Sequence, residues 1–425
     1  MSDPSNEMLM VAFQYPPFQG SSGIQRTMKF VRYLPQFGWR PVVLTASPRA
    51  YPQVTTADRE PATNGTQVTR AFALDAARHL AVRGAYLRWT ALPDRWVSWW
   101  LGAVRAGLAI IYRRRPRVIW STYPIATAHL IGLTLHRLTG IPWVADFRDP
   151  MTDDGYPEDR ATLKAHQWIE RQTVTHCARA VFTSPGALQM YAERYRNVPE
   201  SRWAIIENGY DEQDFAAAEA GAGPRQETTG PTVLVHSGVL YQSERDPNAF
   251  FSAVAELRQR GDISPANLRI VLRASGNESH YTTVLRRHRI EDIIALEPAH
   301  SHVQALREMR LADGLLVFQA ANCNRQIPAK IYEYLRAGRP IFAMTDPQGD
   351  TAEALRAAGI DTIVSLDSSA QIALGLREFL GRVRRGDIAL PKASDVERYS
   401  RRRRTEELAG LLDSLSLAAT TGERG

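Results

Sequence analysis

The chain has 425 residues, 44% of them hydrophobic and 23% charged, with 28 Gly and 25 Pro, a globular balance that excludes disordered, collagen-like and low-complexity classes. Two cysteines, Cys177 and Cys323, lie far apart and outside any CxxC or Cys/His spacing, which excludes a disulfide framework and a structural zinc site and suits a cytosolic protein. Lys and Arg total 52 against 45 Asp and Glu, a net +7. The runs Arg113 to Arg115 with Arg117, and Arg401 to Arg404, suit anionic lipid, phosphate groups or nucleic acid, or a solvated helix face.

Residues 1–7 are polar and acidic, so no secretory leader is expected, and the apolar run 8–13 reads as a first strand. It feeds the loop Gln14-Tyr15-Pro16-Pro17-Phe18-Gln19-Gly20-Ser21-Ser22-Gly23, after which Ile24, Met28, Val31 and Leu34 repeat at helical spacing. A Gly/Ser loop opening a helix at a strand's carboxyl end suits an anion, because backbone N–H groups approach closely and the helix dipole adds positive potential. The loop carries neither GxGxxG nor GxxxxGK[ST], and a tight turn with a Ser cap is the plainer alternative.

A second strand is expected at 41–45. Beyond it Arg88, Trp89, Trp96, Trp99, Trp100, Arg105 and Arg113 to Arg117 mix aromatic and basic residues, either for docking on an anionic membrane or as ordinary core tryptophans beside solvated arginines. The apolar stretch 97–111 is too short for a membrane span and contains Arg105. Further strands are predicted at 118–121, 143–147, 180–184 and 203–207. The strand at 143–147 ends in charge, with Asp146, Arg148 and Asp149 around Phe147. There Asp can accept from hydroxyls and Arg can hold a carboxylate or phosphate, or the two can pair to tie strand to loop. Asp153-Asp154-Gly155 reads as an acidic turn and not as a metal-binding DxD triplet.

Residues 216–231 lack apolar periodicity and read as a linker. The second half repeats the pattern, with strands predicted at 232–237, 268–272, 314–318, 340–344 and 362–365. Short apolar runs alternating with helical stretches predict an α/β protein of two doubly wound, Rossmann-like parallel-sheet domains. The domains are 1–215 and 232–392, and 393–425 forms a closing helix and tail that packs back on the first domain. In the segment 326–341, Pro328 suits a first helical turn, Gly338 ends the helix, and Lys330 and Glu333 share one face. A cation and an acceptor-only carboxylate placed so can hold a phosphate and a sugar diol; a surface ion pair is the alternative.

The stretch Pro328 to Pro340 resembles the PxKxxEYLAxGRP segment of glycosyltransferase family 4-like enzymes of GT-B fold, in which two such domains face across a cleft. The amino-terminal loop, Asp146-Phe147-Arg148-Asp149-Pro150, Glu207-Asn208-Gly209-Tyr210-Asp211 and His236-Ser237-Gly238 follow in the family's order, which is similar to that of the bacterial exopolysaccharide-assembly members. The resemblance implies transfer of a sugar from a nucleotide-sugar donor to a glycan or lipid-linked acceptor, with retained anomeric configuration and neither metal nor cofactor. It implies a ribose-binding role for Glu333, a diphosphate-side role for Gly238, Arg245, Lys330, Ser22 and Gly23, and places Arg325 where the family's first glutamate stands. Arg148 stands where many relatives carry a histidine, followed by the matching Asp149, so a neutral general base is not expected at that position; Asp146 and Arg148 lie on the acceptor side. The expected partners are donor, acceptor and the cytoplasmic face of an anionic membrane, not nucleic acid. A GT-B sugar-nucleotide epimerase and a degenerate nucleotide-sugar-binding protein are the alternatives.

Overall fold

In the computed structural model, which describes residues 6–18, 23–54, 65–220 and 230–422, the short apolar runs form two separate parallel sheets. The first contains β1 (Asn6–Val11), β2 (Trp39–Ala46), β3 (Val68–Ala71), β4 (Val118–Thr122), β5 (Trp143–Arg148), β6 (Arg179–Phe182) and β7 (Trp203–Ile205) in the order β3-β2-β1-β4-β5-β6-β7. The second contains β8 (Thr232–Ser237), β9 (Leu268–Arg273), β10 (Ile294–Glu297), β11 (Gly314–Phe318), β12 (Ile341–Met344) and β13 (Ile363–Val364) in the order β10-β9-β8-β11-β12-β13.

Strand alternation sends successive side chains to opposite faces, so each sheet carries two cores. On the first sheet Leu9, Val11, Leu44 and Ile119 pack to one side, and Met8, Met10, Val43 and Trp120 to the other. The second sheet is covered likewise, with Leu234, Ile270 and Leu316 on one face and Val235, Val271, Leu315 and Val317 on the other. In each sheet the strand order reverses beside the first strand, between β1 and β4 and between β8 and β11. Ligands of doubly wound sheets gather at the carboxyl ends of such strand pairs.

The domain limits differ from those the composition suggests. The chain forms one compact unit from Met1–Glu207 with Arg401–Gly425 and another from Asn208–Ser400. The change of unit therefore precedes 216–231, because Glu212–Ala220 is a helix that buries Phe215 and Ala218 beside Leu306 and Met309. Arg336 fixes it by donating to Glu212 and lying 4.9 Å from the Phe215 ring. Residues 393–400 stay with the second unit as well, since Val396 and Tyr399 enter its core. The helix Arg401–Gly422 packs on the first unit, with Leu408, Leu412 and Leu415 in the core beneath β1 and β4 and Asp413 accepting from the Trp39 indole at 2.9 Å. Arg401 and Arg404 are buried there, and Arg404 pairs with Glu207, so these two are not open to an anion, while Arg402 and Arg403 stay exposed.

The aromatic stretch divides between core and surface. Trp99 is fully buried, and Trp96 and Trp100 pack against the same core. Trp89 is 70% exposed among Val82, Tyr86 and Leu87.

Candidate functional site

At the reversal point of the second sheet, β8 ends in His236 and Ser237 and turns at Gly238, whose φ of +120° suits a residue without Cβ. The helix Lys330–Ala337 starts opposite, and its first side chain reaches back over this turn. Lys330 Nζ donates to Ser237 O at 2.7 Å and lies 3.4 Å from His236 Nε2. A Cβ on Gly238 would come within 2.8 Å of Nζ, so the glycine makes room for the ammonium. Gly238 N–H is itself spent on Arg273 O at 2.9 Å, which limits the glycine's part to space.

His236 is fully buried and its Nδ1 lies 2.9 Å from Leu316 O, which puts the ring proton on Nδ1 and leaves Nε2 as an acceptor toward Lys330. Burial, then the nearby Lys330 charge, hold this imidazole well below its ordinary range. Burial also pushes Lys330 down to about 7, and Arg245 adds to that while Glu333 opposes it. A cation kept at such cost beside a second cation is a ready counter-charge for an anion.

Arg245 is half-buried, donates to Val239 O at 3.2 Å and lies 5.5 Å from the Tyr241 ring centroid. Glu333 follows Lys330 on the same helical face, its Oε1 3.6 Å from His302 Nε2. Arg325 sits exposed on the turn before this helix. The structure thus gathers Gly238, Lys330 and Glu333 at one strand edge, with Arg245 close enough to act on Lys330 electrostatically.

In the first unit Asp146 is fully buried, and both its oxygens are occupied. Arg26 Nη2 donates to Oδ1 at 2.8 Å and Nε to Oδ2 at 3.1 Å, while Thr122 Oγ1 donates to Oδ2 at 2.8 Å. Asp146 is therefore a structural partner of Arg26, not an open acceptor-side carboxylate. Arg26 also reaches Glu207 O at 3.0 Å, tying helix Gly23–Tyr33 to the end of this unit. Arg148 and Asp149 lie beyond a register shift in β5 and are half-buried. Burial raises the Asp149 carboxyl, which Arg148 partly offsets. Gly23 opens its helix beneath Arg148, whose Nη1 would be 2.7 Å from a Cβ there. Ser22 lies outside the described residues.

Residues 22–209 match the model of the glycosyl transferase 4-like domain. The first unit is thus similar to a glycosyl transferase 4-like domain. No curated protein matches the chain. Among solved structures, it is similar to an α,α-trehalose-phosphate synthase (UDP-forming) from Burkholderia xenovorans in complex with glucose-6-phosphate, at 14% identity and TM-score 0.65 over 96% of this chain and 100% of that one. It is also similar to sucrose-phosphate synthase from Thermosynechococcus elongatus, at 11% identity and TM-score 0.62 over 98% of each chain. A third is the apo lipopolysaccharide outer core galactosyltransferase WaaB, at 11% identity and TM-score 0.58 over 97% and 99%. The two parallel sheets are thus those of the GT-B fold.

Two participants in this GT-B chain escape a reading by motif. His236 stands beside Gly238, but its role depends on a hydrogen bond from Nδ1 to a neighbouring strand. Arg26 pairs with Asp146 across 120 residues, a distance no local spacing reveals. Among the described residues no group of three His, Cys, Asp or Glu converges as a metal site, and no helix is long and apolar enough to cross a membrane.

Proposed function

We propose that the protein is a metal-independent, retaining glycosyltransferase that moves a sugar from a nucleotide-sugar donor to a glycan or lipid-linked acceptor in cell-surface glycan synthesis. The observation that carries this is the half-buried Lys330 ammonium, held against Ser237 O over the Cβ-less Gly238 at the reversal point of the second sheet. As the glycosidic bond breaks, negative charge grows on the leaving nucleoside diphosphate, and a preorganised ammonium assisted by Arg245 stabilises it most in the transition state. Glu333, an acceptor-only carboxylate one turn along, suits the ribose diol. By their titles, the similar solved structures include two sugar-phosphate synthases, one of them UDP-forming, and a galactosyltransferase, which supports the same reaction class.

The first unit offers a surface for peripheral docking at an anionic membrane. Leu80, Val82, Leu87 and Trp89 are exposed between Arg78, Arg83 and Arg88, the combination that suits the headgroup boundary. Arg113 and Arg115 are also exposed.

A panel of nucleotide sugars incubated with the purified chain tests the reading. Donor hydrolysis or transfer supports it, isomerisation points to an epimerase, and binding without turnover to a degenerate member. Glu333→Ala should weaken nucleoside diphosphate binding by ~1.5 to 3 kcal/mol, the value of a charged hydrogen bond. An unchanged affinity in a folded variant removes Glu333 from the site.

A further inference from the structure

We infer that Arg148 is an anion-binding residue of the first unit and that the substrate it meets is a sugar bearing a phosphate or carboxylate. Three observations converge on it. Arg148 sits at φ +61°, the left-handed region, at the carboxyl end of β5. A side chain held there costs ~1 to 3 kcal/mol and persists where the surroundings or a function require it.

Second, its guanidinium is underbonded. Among the described residues its side-chain hydrogen bonds are two long ones from Nη1, to Tyr123 O at 3.3 Å and Gly23 O at 3.4 Å. Nε is buried without a partner, and no carboxylate among the described residues lies within ion-pair distance of the group. Arg26, by contrast, is fully matched by Asp146.

Third, the guanidinium lies over the start of the eleven-residue helix Gly23–Tyr33, where Nη1 and Nη2 would be 2.7 and 3.0 Å from a Cβ on Gly23. A helix amino terminus is itself electropositive, so a cation against it is unfavourable; Asp149 and Asp146 offset part of that, and an anion bound by both would offset more. The planar fork, with Nη2 unspent, matches the paired oxygens of a phosphate or carboxylate. The site lies at the reversal point between β1 and β4, the edge of the first sheet where a ligand is expected.

The inference rests on the glycosyltransferase reading for what the anion is attached to, whereas the binding test does not require turnover. Calorimetric titration of the full chain would compare glucose 6-phosphate and glucuronate with neutral glucose, and UDP would serve as the donor-side probe. The wild type should bind the charged sugars more tightly than glucose. Arg148→Gln should weaken the charged sugars about tenfold or more and Arg148→Lys less, since a lysine keeps the charge but loses the fork. Both variants should leave UDP affinity within about twofold, because diphosphate charge falls to Lys330 and Arg245.

Equal binding of glucose and glucose 6-phosphate, or charged-sugar affinity untouched by Arg148→Gln, overturns the proposal. A loss of UDP affinity as large as the loss of sugar-phosphate affinity also overturns it and assigns the anion to the donor. If Arg148→Gln fails to fold, the Arg148→Lys comparison decides by the same criteria. Absence of UDP binding to the wild type would count against the glycosyltransferase reading alone.

Discussion

Replacing Lys330 by methionine should make the second unit more stable while removing its nucleotide binding. The fall of the Lys330 ammonium from its ordinary 10.5 to about 7 corresponds to ~5 kcal/mol spent on holding the charge, at ~1.4 kcal/mol per pH unit. Methionine fills similar space without charge but forfeits the hydrogen bond to Ser237 O, a charged bond of ~1.5 to 3 kcal/mol, which leaves a net gain of at least ~2 kcal/mol. For a unit of this size ~2 kcal/mol raises the melting temperature by ~4 to 8 °C. The gain also has a defined pH dependence. Below pH 7 the lysine is protonated in both folded and unfolded chains and the penalty is complete. Between 7 and 10.5 only the unfolded chain keeps the proton, so wild-type stability rises with pH, and the penalty vanishes above the unfolded value. Calorimetric melting of wild type and Lys330→Met at pH 6, 8 and 10 measures this. A methionine variant no more stable at pH 6, or with an advantage that does not shrink by pH 10, refutes the buried-ammonium argument. UDP titration on the same samples should show affinity lost in the variant.

Asp146→Asn should destabilise the first unit by ~3 to 5 kcal/mol in chemical denaturation, because it leaves the buried Arg26 guanidinium without its counter-charge; replacing both residues by apolar ones of similar volume should recover most of the loss. Trp99→Ala should cost ~3 to 5 kcal/mol of stability, since the ring is fully buried. Trp89→Ala should leave stability unchanged and lower binding to anionic vesicles in flotation, with salt releasing the wild type as screening shortens below ~10 Å; equal flotation of both proteins rejects the docking surface. Turnover should survive exhaustive chelation, and loss restored by magnesium or manganese would instead direct attention to the exposed turn at Asp153 and Asp154.

Much of the layout is legible in the order of residues because buried parallel strands write themselves as continuous apolar runs. Eleven of the strands coincide with such runs, whereas β3 (Val68–Ala71) and β10 (Ile294–Glu297) do not. Both are edge strands of four residues, each with a single buried side chain, so neither needs a run of apolar residues. The helix opening at Lys330 and closing at Gly238's counterpart, Gly338 with φ +64°, is equally plain, since Pro328, Gly338 and Pro340 punctuate it. Residues 212–220 read poorly because their helix is anchored by only Phe215 and Ala218 amid alanines, with no recurring apolar stripe. The tryptophans leave two readings open in the sequence for a different reason. Exposure depends on which face of helix Trp99–Arg114 meets the sheet, and Trp99 and Trp100, adjacent in sequence, differ in how deeply they are buried. Arg148's left-handed backbone and Arg26's long-range pairing are properties of the assembled chain, invisible to spacing.

The return of helix Arg401–Gly422 to the first unit sets an order on synthesis. A ribosome delivers Asn208–Ser400 as one uninterrupted piece with both of its own core layers, so this unit can close while the chain is still growing. The first unit, begun earlier, has to wait. Until Leu408, Leu412 and Leu415 emerge, one face of its sheet around Met8, Met10, Trp39 and Trp120 lacks part of its cover. The unit begun first is therefore the last to be completed, and a stop codon near 400 would harm the amino-terminal half more than the half it adjoins.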